Sequence, residues 1–291
     1  MVSILLSGGL GNQMFQYAAA KALAKRLDSS LNIDLYNLTK KTKATVRSYE
    51  LDIFDINAPI KSTIKGKLFI KMRPFIQKHR SFFQHLGLLT DTYALQYEPI
   101  IETIKGNVTM SGYFQSERYF QDIKSDIFKD FTFKNPLGER NLEVAEQIAQ
   151  SESIAIHIRR GDYITDKGAS LNFVTCGKEY YQKAIAYIAR KIQNPIFYVF
   201  SEDMDWVRKN LNFESYQVLF IDWNRDKESY LDMQLMSRCK HNIIANSSFS
   251  WWAAWLNRNS QKIVIAPEKW FQEDFKNLFL DDFYPNGWVK I

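Results

Sequence analysis

The sequence predicts an α/β protein with parallel sheets. Its second half alternates short apolar strands with amphipathic helices, a pattern that predicts βαβ crossovers between parallel strands. The length of 291 residues allows two domains of about 150 residues each. Hydrophobic residues make up 46% of the chain and aromatic residues 15%, which is enough for large cores and excludes a disordered protein.

The predicted elements follow the hydrophobic periodicity along the chain. Residues 28–130 show little periodicity, and the segment Phe128–Asn141, which contains proline and glycine, is typical of a linker. We therefore predict two domains, residues 1–140 and residues 141–291. The predicted strands are Val2–Leu6, Ile154–Ile158, Ile196–Phe200, Val218–Ile221, Ile243–Ala245 and Ile263–Ala266. The predicted helices are Met14–Leu27, Leu142–Gln150, Glu179–Ile192, Ser229–Arg238 and Trp251–Leu256.

The segment after the predicted strand Ile154–Ile158 carries the strongest functional pattern. The strand includes His157 and runs into the sequence Arg-Arg-Gly-Asp over Arg159–Asp162. Open α/β sheets bind ligands at the carboxyl ends of their strands, and guanidinium groups bind phosphate oxygens through paired hydrogen bonds. The pattern therefore predicts a phosphate-binding strand end; the alternative is a surface loop with an Arg–Asp ion pair. Because side chains alternate along a strand, we expect Arg160 to pair with a local acid such as Asp162.

Polar groups also follow two other predicted strands. Glu202 and Asp203 come after Ile196–Phe200, where carboxylates either accept hydrogen bonds from a ribose or base or cap the next helix. The segment Asn246–Phe249 follows Ile243–Ala245 and places hydroxyl groups at a helix N-terminus, which favours phosphate binding. The alternative there is an N-cap box before a core helix.

Asp232 and the glycine loop Gly8–Gln13 are the remaining candidates. Asp232 lies among apolar neighbours on a predicted helix, where it either pairs with the two donors of a guanine base or faces solvent. The glycine loop allows a backbone to approach a ligand closely, but its spacing is neither GxGxxG nor that of a P-loop. A tight βα turn is therefore the alternative.

Several classes of protein are excluded by the composition. Cys176 and Cys239 form no CxxC pair and the four histidines have no metal-binding spacing, so we expect a reducing compartment and no metal site. The N-terminus does not resemble a signal peptide, and no apolar run reaches about 18 residues. We therefore expect a cytoplasmic protein.

Lys61–Arg80 is the most basic segment of a chain whose net charge is +6. It contains seven lysine or arginine residues and no acidic residue. Its pattern favours a solvated helix face; the alternative is contact with the inner face of the membrane or with the acceptor. The chain lacks the dense basic clusters with interleaved aromatic residues that nucleic-acid binding requires, so no nucleic acid is expected.

Three motifs resemble those of the bacterial α-1,2-fucosyltransferases, glycosyltransferase family 11. They are HIRRGDY at His157–Tyr163, GGLGNQMFQYA at Gly8–Ala18 and NSSFSWWAAWL at Asn246–Leu256. Two further segments, Gly112–Phe120 and Asp232–Asn246, fit the same family. The resemblance extends from near residue 3 to the C-terminus and is weakest between about residues 28 and 105.

The resemblance implies a GT-B fold, in which two Rossmann-like domains face each other across a cleft. Residues 1–140 would form the acceptor-side domain and residues 141–291 the domain that binds the donor. The implied reaction is transfer of L-fucose, with inversion, from GDP-β-L-fucose to the 2-hydroxyl of a terminal β-galactoside glycan. It implies no cofactor and no required metal. Two alternatives remain: a GDP-fucose-dependent transferase with another acceptor, such as a protein hydroxyl, and a non-catalytic nucleotide- or glycan-binding module.

The resemblance also implies roles for individual residues. Arg159 would bind the β-phosphate, His157 would lie beside the ribose and diphosphate, and Asp232 would pair with guanine. Ser247, Ser248 and Phe249 would surround the phosphates, and the Gly11-Asn12-Gln13 turn would face the fucose. The candidate catalytic residues are Arg159, His157, Asp162 and Asn12. The candidate donor-binding residues are His157, Arg159, Glu202, Asp232, Asn246, Ser247, Ser248, Phe249, Gly11, Asn12 and Gln13. None of the motifs identifies the catalytic base.

Overall fold

The computed structural model describes residues 1–39, 47–93, 95–161, 171–213 and 216–291. Its contacts divide the chain into two compact units. The first contains Met1–Asn135 and Phe279–Pro285, and the second contains Pro136–Leu278 and Asn286–Ile291. The division falls slightly before the predicted boundary at residue 140, and a short C-terminal segment belongs to the first unit rather than to the second.

The first unit is built around a four-stranded parallel sheet with the strand order β2-β1-β4-β3. Its strands are β1 (Val2–Leu5), β2 (Leu31–Asp34), β3 (Leu88–Leu89) and β4 (Val108–Met110). Its helices are α1 (Leu10–Arg26), α2 (Tyr36–Thr39), α3 (Ile64–Lys78), α4 (Arg80–His85) and α5 (Lys124–Asp130).

The second unit is built around a six-stranded parallel sheet with the strand order β10-β9-β8-β5-β6-β7. Its strands are β5 (Glu152–Ile158), β6 (Pro195–Ser201), β7 (Gln217–Ile221), β8 (His241–Ile243), β9 (Val264–Ala266) and β10 (Val289–Lys290). Its helices are α6 (Glu139–Ala149), α7 (Lys178–Ala189), α8 (Met204–Asn210), α9 (Tyr230–Met236), α10 (Ser248–Leu256) and α11 (Asp274–Asn277). Helix α12 (Leu280–Phe283) returns to the first unit.

The central strands of the second sheet are mostly apolar and are buried along almost their whole length, because both of their faces are covered. Strand β5 is buried from Ser153 to Ile158. Its isoleucines pack in one core with Tyr181 and Ile188 of α7 and with Phe197 of β6. Continuous apolar runs of this kind are characteristic of parallel strands between two helical layers. The predicted α/β class, with two units that are each built on a parallel sheet, is confirmed.

Several predicted boundaries were wrong. Helix α1 begins at Leu10, because Gly9 takes an extended conformation as N-cap and its carbonyl accepts from the amides of Asn12 and Gln13 at 3.0 and 3.1 Å. The glycine loop thus includes the first helical turn. The predicted linker also contains ordered structure, since Phe133 forms an antiparallel bridge with Phe54. Between residues 28 and 130, the helix favoured for Lys61–Arg80 is present as α3, whereas the three strands and the other three α-helices found among the described residues were not predicted because they are short.

Candidate functional site

The direction of strand addition reverses beside β5 in the second sheet. The chain adds β6 and β7 on one side of β5 and then places β8 on the other side. Ligands in open α/β sheets bind at such a switch point, outside the carboxyl ends of the strands. Ile156 pairs with Ile243, so the residues that leave β5 and those that leave β8 emerge side by side. This reversal brings together the two motifs predicted to bind phosphate, which the sequence separates by almost ninety residues.

Glu202 organises the loop that leaves β5. Its Oε1 accepts hydrogen bonds from the backbone amides of Arg160, at 3.0 Å, and Gly161, at 2.8 Å. The same oxygen lies 3.7 Å from Nε of Arg159. A Cβ at Gly161 would stand 3.0 Å from Cγ of Glu202, which explains why glycine occupies this position. Glu202 therefore fixes the backbone that follows Arg159, and its predicted contact with a ribose or base stays a prediction.

Arg160 has a structural role beside this loop. Its Nε lies 3.2 Å from Oδ2 of Asp203, and its guanidinium stacks 4.0 Å from the centre of the Trp206 ring. Asp203 also caps α8 by accepting from the Trp206 amide at 3.1 Å. The predicted partner, Asp162, lies outside the described residues; the observed ion pair is with Asp203. The capping alternative therefore holds for Asp203.

Arg159 and His157 differ sharply in their surroundings. The Arg159 side chain is 31% exposed at the carboxyl end of β5. His157 is buried, its ring centre lies 5.6 Å from that of Phe249, and its Nδ1 has no hydrogen-bond partner among the described residues. Burial lowers the pKa of His157 to about 4; the Glu202 carboxylate opposes this shift and the Arg159 charge adds to it. His157 is therefore neutral at pH 7 and acts through hydrogen bonds rather than charge.

The segment after β8 begins with the buried residue Asn246 and continues into the N-terminus of α10. The Asn246 amide donates to the carbonyl oxygens of Val174 and Trp270 and accepts from Sγ of Cys176 at 3.5 Å. Those bonds use both amide hydrogens, so Asn246 ties the segment to neighbouring loops.

The helix N-terminus itself is formed by Ser247 and Ser248. Ser247 caps α10 by accepting from the Phe249 amide at 3.3 Å, as the N-cap alternative expects. Ser248 begins the helix and is partly exposed. This N-terminus lies beside Arg159 at the switch point, so the positive end of the helix and a guanidinium meet at the same edge.

Asp232 is held by a chain of amide groups that begins at an indole. Nε1 of Trp223 donates to Oδ1 of Asn141 at 2.9 Å, and Nδ2 of Asn141 donates to Oδ1 of Asn224 at 2.8 Å. Nδ2 of Asn224 then donates to Oδ1 of Asp232 at 2.7 Å. Burial raises the pKa of Asp232 to about 7, despite the opposing hydrogen bond from Asn224. The acid is therefore partly protonated at neutral pH.

A pocket of about 340 Å³ opens beside these hydrogen-bonded side chains, and Asn141, Trp223 and Asn224 are among the residues that line it. The guanidinium of Arg140 lies 3.6 Å from the centre of the Trp223 ring. These residues were missed by the sequence analysis. The same reasoning that selected polar groups after other strands would have found Trp223 and Asn224, which follow β7.

The first sheet has its own switch point between β1 and β4, which is occupied by amide side chains and by the carboxylate of Glu50, which accepts from the Leu10 amide at 2.8 Å. Gln13 donates to the carbonyl oxygens of Gly8 at 2.9 Å and Ser48 at 2.8 Å, and accepts from the Glu50 amide at 3.0 Å. Asn12 accepts from Nε2 of Gln115 at 2.8 Å. Gly8 has a φ of +76°, and a Cβ there would collide with Nδ2 of Asn12.

The residues Gly11, Asn12 and Gln13 thus lie in the first turn of α1, not in a loop. The Gln13 side chain is completely buried and holds the βα turn together. Asn12 remains partly exposed beside Gln115. The predicted contact of this segment with fucose stays a prediction.

No cluster of three or more His, Cys, Asp or Glu side chains in the described ranges is arranged to hold a metal ion. Likewise, none of the helices within those ranges is both long and apolar enough to cross a bilayer.

The fold and this edge are those of an α/β protein of the doubly wound type, in which a ligand binds at the switch point of a parallel sheet. Comparison with known proteins identifies the family to which the chain belongs within this fold class. The model of glycosyl transferase family 11 matches residues 1–291, and the chain belongs to this family. It is therefore a glycosyltransferase.

Individual relatives are similar over most of their length. The chain is 37% identical to an alpha-1,2-colitosyltransferase of Escherichia coli, over 98% of this chain and 97% of that protein. It is 28% identical to the galactoside 2-alpha-L-fucosyltransferase Sec1 of Mus musculus, over 100% of this chain and 74% of that protein. Among solved structures, the NodZ alpha-1,6-fucosyltransferase soaked with GDP-fucose matches with a TM-score of 0.53 and 13% identity, covering 88% of this chain and 92% of that one. This last similarity concerns the fold alone.

Proposed function

We propose that the protein transfers L-fucose from GDP-β-L-fucose to the 2-hydroxyl of a terminal β-galactoside, with inversion at the anomeric carbon. The observation that carries the proposal is the placement of Arg159 beside the N-terminus of α10 at the switch point of the second sheet. The sequence similarity to an α-1,2-colitosyltransferase and to a galactoside 2-α-L-fucosyltransferase supports the linkage and the acceptor.

In this reaction the acceptor O2 forms a bond to C1 of the sugar while the bond from C1 to the β-phosphate oxygen breaks. GDP departs with the bonding electrons, so negative charge grows on the β-phosphate, and the hydroxyl proton passes to a base. The sugar passes through an oxocarbenium-like state. The guanidinium of Arg159 and the amides at the start of α10 stabilise the charge on the leaving group as it develops.

The neutral His157 contributes a hydrogen bond from beneath this site. Its buried Nδ1 has no hydrogen-bond partner among the described residues, and the donor ribose and diphosphate carry polar atoms of the kind that would pair with it. A neutral ring also avoids placing a second cation next to Arg159, where the two charges would repel each other.

We assign the base of the donor to the pocket beside Asp232. Asn224 occupies one carboxylate oxygen, and no other described residue donates to this group. The second carboxylate oxygen of Asp232, and the remaining lone pair of the first, can accept hydrogen bonds from the N1–H and amino groups of guanine. Adenine lacks this pair of donors, so the arrangement favours GDP over ADP.

The experiment is incubation of the protein with GDP-β-L-fucose and lactose in the presence of EDTA, with GDP release and product formation followed together. We expect an α-1,2-linked fucosyl-lactose and full turnover without added metal; the anomeric proton coupling identifies the α configuration, and the correlation from fucose H1 to galactose C2 identifies the linkage. Restoration of activity only by manganese or magnesium would contradict metal independence. A β-linked product would contradict inversion, and GDP-fucose binding without turnover would indicate a binding module.

GDP-L-colitose is a second candidate donor, favoured by the 37% identity to a colitosyltransferase. Colitose is L-fucose without its 3-hydroxyl, so both donors share the GDP moiety and the reacting carbon. Parallel assays at limiting donor distinguish them. A kcat/KM for GDP-colitose above that for GDP-fucose would replace the proposed sugar and leave the assignment of Arg159 and Asp232 unchanged.

A further inference from the structure

Helices α3 and α4 of the first unit expose an unusually large amount of apolar surface. On α3, Ile64 is 86% exposed, Leu68 54% and Phe75 53%. On α4, Phe82 is 63% exposed, and Leu86 directly after it is 54% exposed. Soluble proteins rarely expose contiguous apolar patches of this kind. Five exposed large apolar side chains on two consecutive helices therefore indicate a surface that binds another molecule.

The apolar residues of α3 form one outward stripe. Ile64, Leu68 and Phe75 are four and then seven residues apart, so they lie on the same face of the helix. At a rise of about 1.5 Å per residue, the stripe is roughly 16 Å long. The opposite face is already used, because Phe69 and Ile76 are buried in a core with Leu5. The exposed stripe is therefore additional to what the fold needs.

The stripe continues onto α4 through a line of aromatic rings. Phe75 lies 5.7 Å from Phe83, and Phe83 lies 5.2 Å from Phe82, measured between ring centres. Phe83 is buried, whereas Phe75 and Phe82 are exposed on either side of it. The two helices thus present one continuous apolar surface, which we call the α3–α4 patch: Ile64, Leu68, Phe75, Phe82 and Leu86.

The exposed charged side chains of α3 and α4 and of the segment before them are all basic. Five exposed lysines border it: Lys61, Lys65, Lys67, Lys71 and Lys78. None of them forms an ion pair with a carboxylate among the described residues. Lys65 donates to the carbonyl of Leu86, and Lys67 lies over the ring of Tyr36. The chain contains no acidic residue between Asp55 and Asp91.

We propose that the α3–α4 patch docks the protein on an anionic phospholipid bilayer. An apolar stripe bordered by lysines matches a membrane interface, where the apolar side chains enter the acyl boundary and the lysines meet lipid phosphates. A nucleic acid would use the lysines and leave the apolar stripe exposed to water. The prominence of the stripe therefore favours the bilayer, and the proposal does not depend on which sugar the protein transfers.

The test is co-sedimentation of the full chain with vesicles of phosphatidylcholine, with and without phosphatidylglycerol. We expect binding only to the vesicles that contain phosphatidylglycerol, weakened by high salt. The combined substitutions Ile64→Gln, Leu68→Gln and Phe75→Gln should lower the partition coefficient at least about 100-fold. The combined substitutions Lys67→Gln, Lys71→Gln and Lys78→Gln should lower it by roughly 100-fold.

Matched controls come from the second unit. Leu171 and Leu278 are 75% and 76% exposed, and Lys183 and Lys209 are exposed as well. Their substitution by glutamine should leave vesicle binding unchanged, and circular dichroism with thermal unfolding establishes that every variant is folded.

Three results would overturn the proposal. They are failure of the wild-type protein to bind the anionic vesicles, equal binding by folded patch variants, and equal losses in the control variants. Binding of single-stranded RNA that depends on the lysines but not on the apolar residues, with no vesicle binding, would assign the surface to a nucleic acid instead.

Discussion

The two sheets use polar groups differently at corresponding edges. At the switch point of the first sheet, the amide of Gln13 and the carboxylate of Glu50 both bond to backbone groups of neighbouring segments. At the switch point of the second sheet, Arg159, Glu202 and a neutral His157 surround the end of β5. An edge that satisfies its own polar groups serves mainly stability. An edge that retains a partly exposed guanidinium, and a buried imidazole nitrogen without a partner among the described residues, is suited to an anionic ligand.

The largest expected effect is at the edge of the second sheet. Arg159→Ala should reduce kcat by the equivalent of about 3–4 kcal/mol, because a preorganised charge that acts on the leaving group is lost. Arg159→Lys should recover little, since an ammonium group cannot reproduce the planar fork. The measurement is turnover at saturating donor, with urea unfolding to show that stability is retained. Near-wild-type turnover in a folded Arg159→Ala protein would remove this residue from the mechanism.

The corresponding change at the edge of the first sheet should act on stability. Gln13→Leu leaves the backbone groups of Gly8, Ser48 and Glu50 without their side-chain partner, and we expect the free energy of unfolding to fall by about 2–4 kcal/mol. Gln121→Leu, at an exposed position of the same unit, serves as the control and should change stability by less than about 0.5 kcal/mol. Equal stability of the two variants in urea unfolding would contradict the contrast between the edges.

Asp232 should make GDP binding depend on pH. Its pKa of about 7 belongs to the unliganded protein, and guanine requires the ionised form, so affinity is present above pH 7 and is lost as the pH falls below it. Between pH 8 and pH 6 we expect roughly a tenfold loss measured by calorimetry. Asp232→Asn should weaken binding by about 2–4 kcal/mol at pH 8.

The Asp232→Asn variant also provides the control for the pH experiment, because GDP itself titrates near pH 6. Its affinity should retain only the dependence that comes from the ligand. Asn224 explains the size of the loss: its amide would hold the new carbonyl oxygen, and the new NH2 group would then face the donor groups of guanine. Identical pH profiles for the wild-type protein and the variant would refute the assignment of the base.

The smallest expected effects concern the two serines at the start of α10, to which we assign different roles. Ser247→Ala removes the N-cap and should cost about 1 kcal/mol of stability. Ser248→Ala should leave stability within about 0.5 kcal/mol and raise the KM for the donor, because its hydroxyl is partly exposed at the phosphate end of the helix. Urea unfolding and donor titration of both variants test this distinction. A stability loss at Ser248 equal to that at Ser247 would indicate that both hydroxyls serve the cap alone.

Much of the second unit could be predicted from the amino-acid sequence. The strand Ile154–Ile158, the strand Ile196–Phe200 and the helix after Ser247 follow from periodicity, which neighbouring residues determine among themselves. Polar residues that interrupt an apolar run also identify the carboxyl ends of buried strands. Arg159 was therefore recognisable as a candidate without any knowledge of its neighbours.

Only the tertiary structure decided which of these polar residues meet. Strand order placed β8 beside β5, and it made Glu202 the acceptor for the backbone of a residue 42 positions away. It also joined Asn141 to Asn224, which are 83 positions apart, and thereby produced the series of hydrogen bonds that holds Asp232. Local periodicity determines which face of an element is buried, whereas hydrogen-bond partners and pKa shifts depend on groups that folding brings together. For that reason the candidate residues could be read from the sequence, and their division into ligand-facing and structural groups could not.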